Sequence, residues 1–385
     1  MPTTTGLRVR WLAPFACKSG YAQATHDYLL ALHRAGVELD IVPIIDADSE
    51  DLHPRYSELL PLVGKHVDDK EWPTHVVVHT VPTYAHEFVT GDLSTNAIKV
   101  CITTWESSPI PPKIVERLNV FDHIIVPSHY NSDLFIRSGR VVNVVPHCFD
   151  SNFWTSKEGE RDPSATTQFY WIGVWWDRKN PLGVLKAFYH EFRAEDNVRL
   201  VMLAAGYNGA HDDLSLFQTC CEVEDLPDVK IITEYQTDEQ LLKLHQESDC
   251  FVTTHRAEGF GLGAFEACLV GNRVISTGYS GVLEFLDADE DYLTGYQLTP
   301  VISTPSAKPT KVKGISVVTK GEPIGVNIRQ KWAEPDLVEV SKYMRDFQLR
   351  EDKRKGVKYL QEFRNLYSYS EIAGQLIRLF DGGMV

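Results

Sequence analysis

Glu258 and Glu266 have seven residues between them, and a glycine-rich turn from Gly259 to Gly263 fills that gap. From Thr253 the chain reads Thr-Thr-His-Arg-Ala-Glu-Gly-Phe-Gly-Leu-Gly-Ala-Phe-Glu-Ala-Cys-Leu-Val-Gly. An apolar strand, Cys250 to Thr254, precedes the turn, and a helix-like run, Ala264 to Val270, follows it. The order strand, glycine loop, helix start builds a phosphate cradle. Amides at a helix N-terminus are unpaired and carry partial positive charge, so they attract an anion. Glycine lets the backbone approach a ligand closely. Carboxylates before the loop and about two turns along it can accept hydrogen bonds from hydroxyls at the two ends of a ligand. That arrangement suits a nucleotide-sugar, with one glutamate for the hexose, one for the ribose, and amides for the diphosphate.

The string Glu-Gly-Phe-Gly-Leu-x-x-x-Glu-Ala (Glu258–Ala267), followed by Gly-x-x-Val-Ile (Gly271–Ile275), resembles the C-terminal signature of the group 1 glycosyltransferases, family 4, with a retaining mechanism and the GT-B fold. The resemblance implies a donor site made from Glu258, Gly259, Phe260, Gly261, Leu262 and Glu266, with Ser280 and Gly281 as a second glycine turn near the donor sugar. It also implies that Ser19 and Gly20, between the first strand and first helix, bring amides to the donor diphosphate. Lys179, in Trp-Trp-Asp-Arg-Lys-Asn-Pro, falls on the family's lysine, whereas the family's arginine position directly after Gly173 is Val174. Arg178 is the neighbouring candidate for that missing cation. A leaving nucleoside diphosphate gains negative charge at the transition state, so fixed cations there lower the barrier. Catalytic roles are therefore expected of Glu258, Lys179 and Arg178.

Many members of the family carry a histidine near position 105, where this chain has Trp105 and Glu106. An aromatic ring can stack on a sugar face and a carboxylate can bind hydroxyls, so these two are candidates for the acceptor or sugar side. His79, at the end of the preceding strand, is the third. Pro146-His147-Cys148-Phe149-Asp150 resembles the family's segment just before its hinge. No side chain is expected to act as a nucleophile. The family's chemistry implies front-face attack, with the leaving phosphate oxygen taking the acceptor proton. No metal and no cofactor are expected beyond the sugar nucleotide as co-substrate.

The elements that must position these residues read as an α/β chain. Strands at Leu7–Pro14, Glu38–Ile44, His75–Val81, Ile98–Thr104, His123–Val126 and Val141–Val145 alternate with helices at Ala22–Ala35, Pro112–Leu118 and Ser128–Ser138. The alternation resumes with strands at Phe169–Trp175, Val198–Ala204, Val229–Ile232, Cys250–Thr254 and Arg273–Thr277. Helices fit Pro181–Phe192, Thr237–Gln246 and Gly263–Val270. Such alternation implies parallel, doubly wound sheets with ligands beyond the strands' C-terminal ends. The expectation is two Rossmann-like domains facing across a cleft. These are an acceptor-side domain at 1–150, a polar linker at 151–167, and a nucleotide-sugar domain at 168–350 with an irregular or β-hairpin insertion at 286–330. The helices of 351–385 are expected to cross back to the first domain through the apolar face of Ile372, Leu376 and Leu379. If both halves meet one diphosphate, the cleft must close about the linker.

The 385 residues carry a net charge of −15, with 43% hydrophobic and 24% charged residues, as in an ordinary globular protein. The acidic balance argues against nucleic-acid partners. Seven scattered cysteines without Cys-x-x-Cys spacing read as free thiols in a reducing, cytoplasmic setting. No apolar run of membrane length and no signal-peptide pattern is seen, so no membrane insertion is expected. The acceptor is left open. A glycan or lipid-linked glycan is favoured over a protein, a small molecule or a modified nucleobase. Three other readings compete. One is a metal-dependent transferase using Asp46-Ala47-Asp48 or Asp287-Ala288-Asp289. Another is a dinucleotide oxidoreductase, which lacks its full glycine fingerprint. The last is a non-catalytic nucleotide-sugar binder.

Overall fold

The computed structural model describes residues 6–383 apart from 16, 45–52, 67, 70, 90–95, 137–138, 140, 157–164, 222–223, 302–308, 313–314 and 319–328. It divides into two compact units. Unit 1 comprises Met1–Ser151, Pro300–Lys331 and Arg364–Val385, and unit 2 comprises Asn152–Thr299 and Trp332–Phe363.

Unit 1 is built on β1 (Arg8–Ala13), α1 (Gly20–Arg34), β2 (Glu38–Pro43), β3 (His75–His79), β4 (Ile98–Ile102), α2 (Pro112–Arg117), β5 (His123–Val126), α3 (His129–Phe135) and β6 (Val141–Val144). The strands form one parallel sheet in the order β2-β1-β3-β4-β5-β6. Successive side chains of a strand point to opposite faces. In β3 this sends Val77 into a core with Trp11, Tyr28 and Ile125, while Val76 and Val78 join a second core with Cys101 and Phe121. A sheet buried on both faces reads as a continuous apolar run, which is why these strands were legible. Arg10 and Asp40 are the exception. They stand opposite each other on β1 and β2 and form a fully buried ion pair at 2.7 Å. Arg10 also donates to the Asp69 carbonyl at 3.0 Å, so the buried charge is tied down by more than its counter-ion.

Unit 2 contains β7 (Thr167–Ile172), α4 (Pro181–Glu191), β8 (Val198–Leu203), α5 (Ala210–Cys220), β9 (Asp228–Ile232), α6 (Asp238–Glu247), β10 (Cys250–Thr253), α7 (Leu262–Leu269), β11 (Arg273–Thr277) and β12 (Tyr292–Thr294). Its parallel sheet has the order β12-β11-β10-β7-β8-β9. β10 therefore lies beside β7, and the loops that follow the two strands are neighbours. Beyond this sheet come β13 (Tyr296–Pro300), the antiparallel pair β14 (Pro309–Val312) and β15 (Ile315–Val318), and β16 (Lys331–Pro335), which pairs with β13. The chain ends in α8 (Leu337–Leu349), α9 (Val357–Leu366) and α10 (Tyr369–Arg378).

Three features differ from the sequence reading. Residues 286–330 are not one insertion: β12 is an edge strand of the main sheet, and 300–331 group with unit 1. A three-residue strand is too short to show a period. The linker is anchored at its start. Trp154 is 1% exposed, its ring lies 5.7 Å from that of His245, and Gln246 donates to the Thr155 carbonyl at 2.8 Å. The rest of that linker, 157–164, lies outside the described residues. α5 was not expected, and its only fully buried residue is Ala210, so it carries little apolar pattern. The closing segment is three helices. Lys353 ends α8 by donating to the carbonyls of Phe347 and Gln348, each at 2.6 Å, and Lys355 forms a buried pair with Asp291 at 2.5 Å.

α10 lies in unit 1. Ile372, Ala373 and Leu376 enter the core that holds Tyr28 and Leu32 of α1. The Tyr369 hydroxyl donates to Asp27 Oδ1 at 2.5 Å, and Tyr56 donates to the same oxygen at 3.0 Å. All seven cysteines are free thiols. Among the described residues no helix is long and apolar enough to cross a membrane.

Candidate active site

The site in unit 2 begins where β7 and β10 end. The chain after β7 turns through Val174–Asn180 and enters α4 at Pro181, which suits a first helical position because it lacks an N–H. Asn180 adopts a left-handed φ of 50°. It joins this turn to the one after β10: its Nδ2 donates to the Thr254 carbonyl at 3.0 Å, and Thr254 Oγ1 donates to the Asn180 carbonyl at 2.7 Å. The Arg256 amide donates to the Arg178 carbonyl at 2.7 Å, which extends the seam. Arg256 is itself held, its Nε donating to Glu334 Oε2 at 2.6 Å and its guanidinium lying over Trp332.

This seam brings Arg178 and Lys179 to Glu258. Lys179 Nζ lies 2.6 Å from Glu258 Oε1, and Arg178 Nη1 lies 3.2 Å from Oε2 while also donating to the Ala257 carbonyl at 2.7 Å. These are charge-assisted bonds at short range. Burial pushes the Glu258 carboxyl up, but Lys179 and then Arg178 outweigh it, and the group is held at about 2. The glutamate is therefore an anion at any physiological pH, locked between two cations. Val174, at the position after Gly173, is 42% exposed.

The glycine loop is set by its neighbour turn. Ser280 has a left-handed φ of 69° and its Oγ accepts from the Glu258 amide at 2.8 Å. The Gly281 amide donates to the Glu258 carbonyl at 2.9 Å. A Cβ at position 281 would sit 2.1 Å from the Gly259 carbonyl oxygen, so only glycine allows this approach. Gly261, at φ 104°, is the N-cap of α7, and the first amides of that helix follow it. Lys179, His255, Glu258, Gly261, Gly263 and Val282 line a cavity of about 20 Å³, room for one water. His255 is a residue the sequence reading quoted but did not single out. It is fully buried, its Nε2–H donates to the Tyr279 carbonyl at 3.1 Å, and burial pushes it down to about 4. It enters the site as a neutral ring.

Glu266 is placed differently. It is 3% exposed on α7, its carboxylate faces His245 Nε2 at 3.3 Å, and it is not among the residues lining that cavity. Four residues into α7, it lies about one turn beyond Leu262, on the buried side. Phe260 packs against Phe265 and Phe285 and supports the loop from within.

Ser19 is the N-cap of α1, its Oγ accepting from the Ala22 amide at 3.2 Å, and Gly20 is the first helical residue. Trp105 corrects the expectation of a sugar-stacking ring: it is 2% exposed and packed in the core beside Ile110 and Ile114. His79 is corrected likewise. It is 2% exposed, its Nδ1 meets Thr25 Oγ1 at 2.9 Å, its ring is flanked by Trp11, Tyr21 and Tyr28, and burial pushes it well below its usual range. His79 ends β3 and Trp105 follows β4, and both turn into a packed layer, where a large ring is worth more as packing than as a platform. Glu106 is half-buried, and its carbonyl accepts from the Tyr130 hydroxyl at 3.0 Å. Asp287 Oδ1 accepts from the Asp289 amide at 2.9 Å, a local turn, and Asp46 and Asp48 lie outside the described residues. Among the described residues no three His, Cys, Asp or Glu side chains converge as a metal site.

Two Rossmann-like units, one ending its strands in a glycine loop with a paired glutamate and two cations, have the GT-B architecture. Residues 152–305 match the family described as Glycosyl transferases group 1. The fold of the chain is similar to that of HepE from Anabaena, solved with UDP-glucose (TM-score 0.62, 14% identity, 97% of this chain and 99% of that one). It is also similar to sucrose-phosphate synthase from Thermosynechococcus elongatus (TM-score 0.67, 11% identity, 97% and 98%). A third similar structure is the lipopolysaccharide outer core galactosyltransferase WaaB (TM-score 0.63, 10% identity, 98% and 100%). No curated protein matches the sequence.

Proposed function

We propose that the protein is a glycosyltransferase that moves a hexose, with retention of configuration, from a nucleoside-diphosphate sugar to a glycan or lipid-linked glycan, without a metal ion. The observation that carries the reading is the Arg178–Lys179–Glu258 cluster beside the first amides of α7. The amides and the two cations offer the positive field that a departing diphosphate needs. Glu258 presents a permanent anion to hexose hydroxyls and keeps both cations extended toward the loop. Arg178 stands in for the arginine replaced by Val174. Ser280 and Gly281 hold the loop near the sugar, and Glu266 serves the ribose once the nucleotide is in place. With the charge met by side chains, no cation is required. The nucleotide-sugar donor is supported by HepE, solved with UDP-glucose, and a glycan acceptor by WaaB, which acts on the lipopolysaccharide outer core.

The test is a thermal-shift panel of UDP-, GDP-, ADP- and dTDP-sugars, followed by transfer assays with the donor that binds. A ligand that binds only the folded state must raise the melting temperature. NMR of the product anomer then separates retention from inversion. If no sugar nucleotide shifts the wild-type protein, or if the product anomer is inverted, the reading fails.

A further inference from the structure

Glu266 stands at the end of a line of buried polar side chains in unit 2. Tyr170 of β7, His245 of α6 and Asn272, which follows α7, are fully buried, and Glu266 is nearly so. Asn272 Nδ2 donates to the His245 carbonyl at 2.7 Å and to the Tyr170 hydroxyl at 2.9 Å. The Tyr170 hydroxyl lies 2.7 Å from His245 Nδ1, and His245 Nε2 lies 3.3 Å from Glu266 Oε2. The rings of Trp154, Tyr170 and Phe251 surround the imidazole, with centroids 5.7, 5.3 and 6.5 Å away. The Asn272 amide donates to the Ala267 carbonyl at 2.9 Å, which ties the line to the end of α7.

These contacts give each hydrogen a direction. A carbonyl can only accept, so the Asn272 atom facing the His245 carbonyl is the amide nitrogen, and its second hydrogen goes to the Tyr170 oxygen. Asn272 Oδ1 meets no donor, which is the cost of that orientation. The Tyr170 hydroxyl thus accepts from Asn272 and has one hydrogen of its own, which goes to Nδ1. Burial pushes the Tyr170 hydroxyl well above its usual range, so it keeps that hydrogen. With Nδ1 accepting, the ring carries its hydrogen on Nε2, pointing at Glu266. Asn272, Tyr170 and His245 each donate to the next group, and the carboxylate ends the line.

Glu258 is locked by two cations, whereas His245 offers Glu266 a neutral donor. A neutral donor orients a carboxylate without cancelling its charge. Such a carboxylate is a strong acceptor for a hydroxyl, and little order has to be imposed on it when a ligand arrives. We infer that His245 is a positioning residue for the sugar nucleotide: it holds Glu266 in the orientation that accepts from the ribose hydroxyls, and Tyr170 and Asn272 set its tautomer. The inference rests on the reading of Glu266 as the ribose ligand. His245 acts only through Glu266 and touches no substrate.

Two measurements on the full chain test it. The first uses no ligand: long-range proton–nitrogen NMR of the protein labelled with ¹⁵N-histidine, near neutral pH, with the His245 signals assigned by their absence in His245→Gln. Wild type should show the Nε2–H tautomer, and Tyr170→Phe, which removes only the hydroxyl, should show a mixture of tautomers. A hydrogen on Nδ1 in wild type, or an unchanged tautomer in Tyr170→Phe, overturns the inference. The second is calorimetry with UDP, GDP and ADP, each beside its 2′,3′-dideoxy analogue. Wild type should prefer the ribonucleotide of the pair it binds. His245→Phe should weaken that ribonucleotide about tenfold and leave the dideoxy analogue within about twofold. His245→Gln, whose amide nitrogen can stand where Nε2 stood, should recover most of the loss. Should His245→Phe not fold, Tyr170→Phe carries the same comparison with a smaller loss. A histidine that only supports the fold would weaken both members of a pair alike, and that result overturns the inference, as does a ribonucleotide preference that survives His245→Phe. Wild type that binds none of these nucleotides, or binds both members of a pair equally, removes the ribose role of Glu266 and the inference with it.

Discussion

At the scale of single residues, Glu258 organises the site through its two cations. Glu258→Gln removes the anion that holds Lys179 and Arg178 in place, and it is expected to lower kcat about 10²–10³-fold, as loss of one well-placed electrostatic contact does. Nucleotide affinity should stay within a few-fold of wild type, because the amides and both cations remain. Wild-type turnover in this variant with its true donor and acceptor would remove Glu258 from the reaction. Lys179→Ala should cost a comparable part of the rate, while EDTA should cost none. Activity abolished by EDTA and restored by Mn²⁺ would show that a cation, not Lys179, meets the diphosphate. The pH profile follows from the same ion pairs. With its carboxyl held at about 2, Glu258 keeps its charge across the whole working range, so it contributes no acid limb to kcat/KM. A limb near pH 4.5 that disappears in Glu258→Gln would contradict this.

At the scale of elements, the loop between β10 and α7 takes its shape from the turn after β11. Gly281 passes so close to Gly259 that a methyl group there would strike its carbonyl oxygen. Gly281→Ala should therefore displace the loop and destabilise unit 2 by about 1–3 kcal/mol, the usual effect of overpacking. Chemical denaturation measures the loss, and nucleotide binding should weaken with it. Ser280→Ala keeps the space but removes the Oγ that accepts from the Glu258 amide, so it should weaken binding with a smaller change in stability. An unchanged Kd in Gly281→Ala would mean that the turn does not shape the site. α10 is fixed to α1 in the same way: Tyr369 and Tyr56 share one oxygen of Asp27, on α1.

At the scale of the whole molecule, buried histidines set the acid limit. Burial pushes His147 down to about 3, and His26 and His255 to about 4, from an ordinary value of 6.5. Between pH 6.5 and 4 the unfolded chain binds protons at these positions and the folded chain does not, so stability falls as pH falls through that window. Because His26 and His147 lie in unit 1 and His255 in unit 2, both units should lose stability. A melting temperature that stays flat from pH 7 to about 4.5 would show that these rings titrate freely in the folded state.

The sequence alone determined the βα alternation and the strand–loop–helix around Glu258, because each is written in local periodicity and in glycine placement. Element ends moved by a few residues, as at β3, read as His75–Val81 and found as His75–His79. What tertiary structure decided is the company each residue keeps. Lys179 and Arg178 stand 79 and 80 residues before Glu258 and meet it because β7 and β10 are neighbours in the sheet, a strand order no local pattern encodes. Trp105 and His79 carry types that suit a sugar site, yet both turn into the core, since residue type says what a side chain can do but not which way it faces. The division of residues 286–330 between two units is the same lesson in chain path. His245 is its sharpest case. In the sequence it is one more polar residue of a helix, and it comes to lie between Tyr170 and Glu266 only because α6 and α7 flank β10 in the chain and β10 pairs with β7.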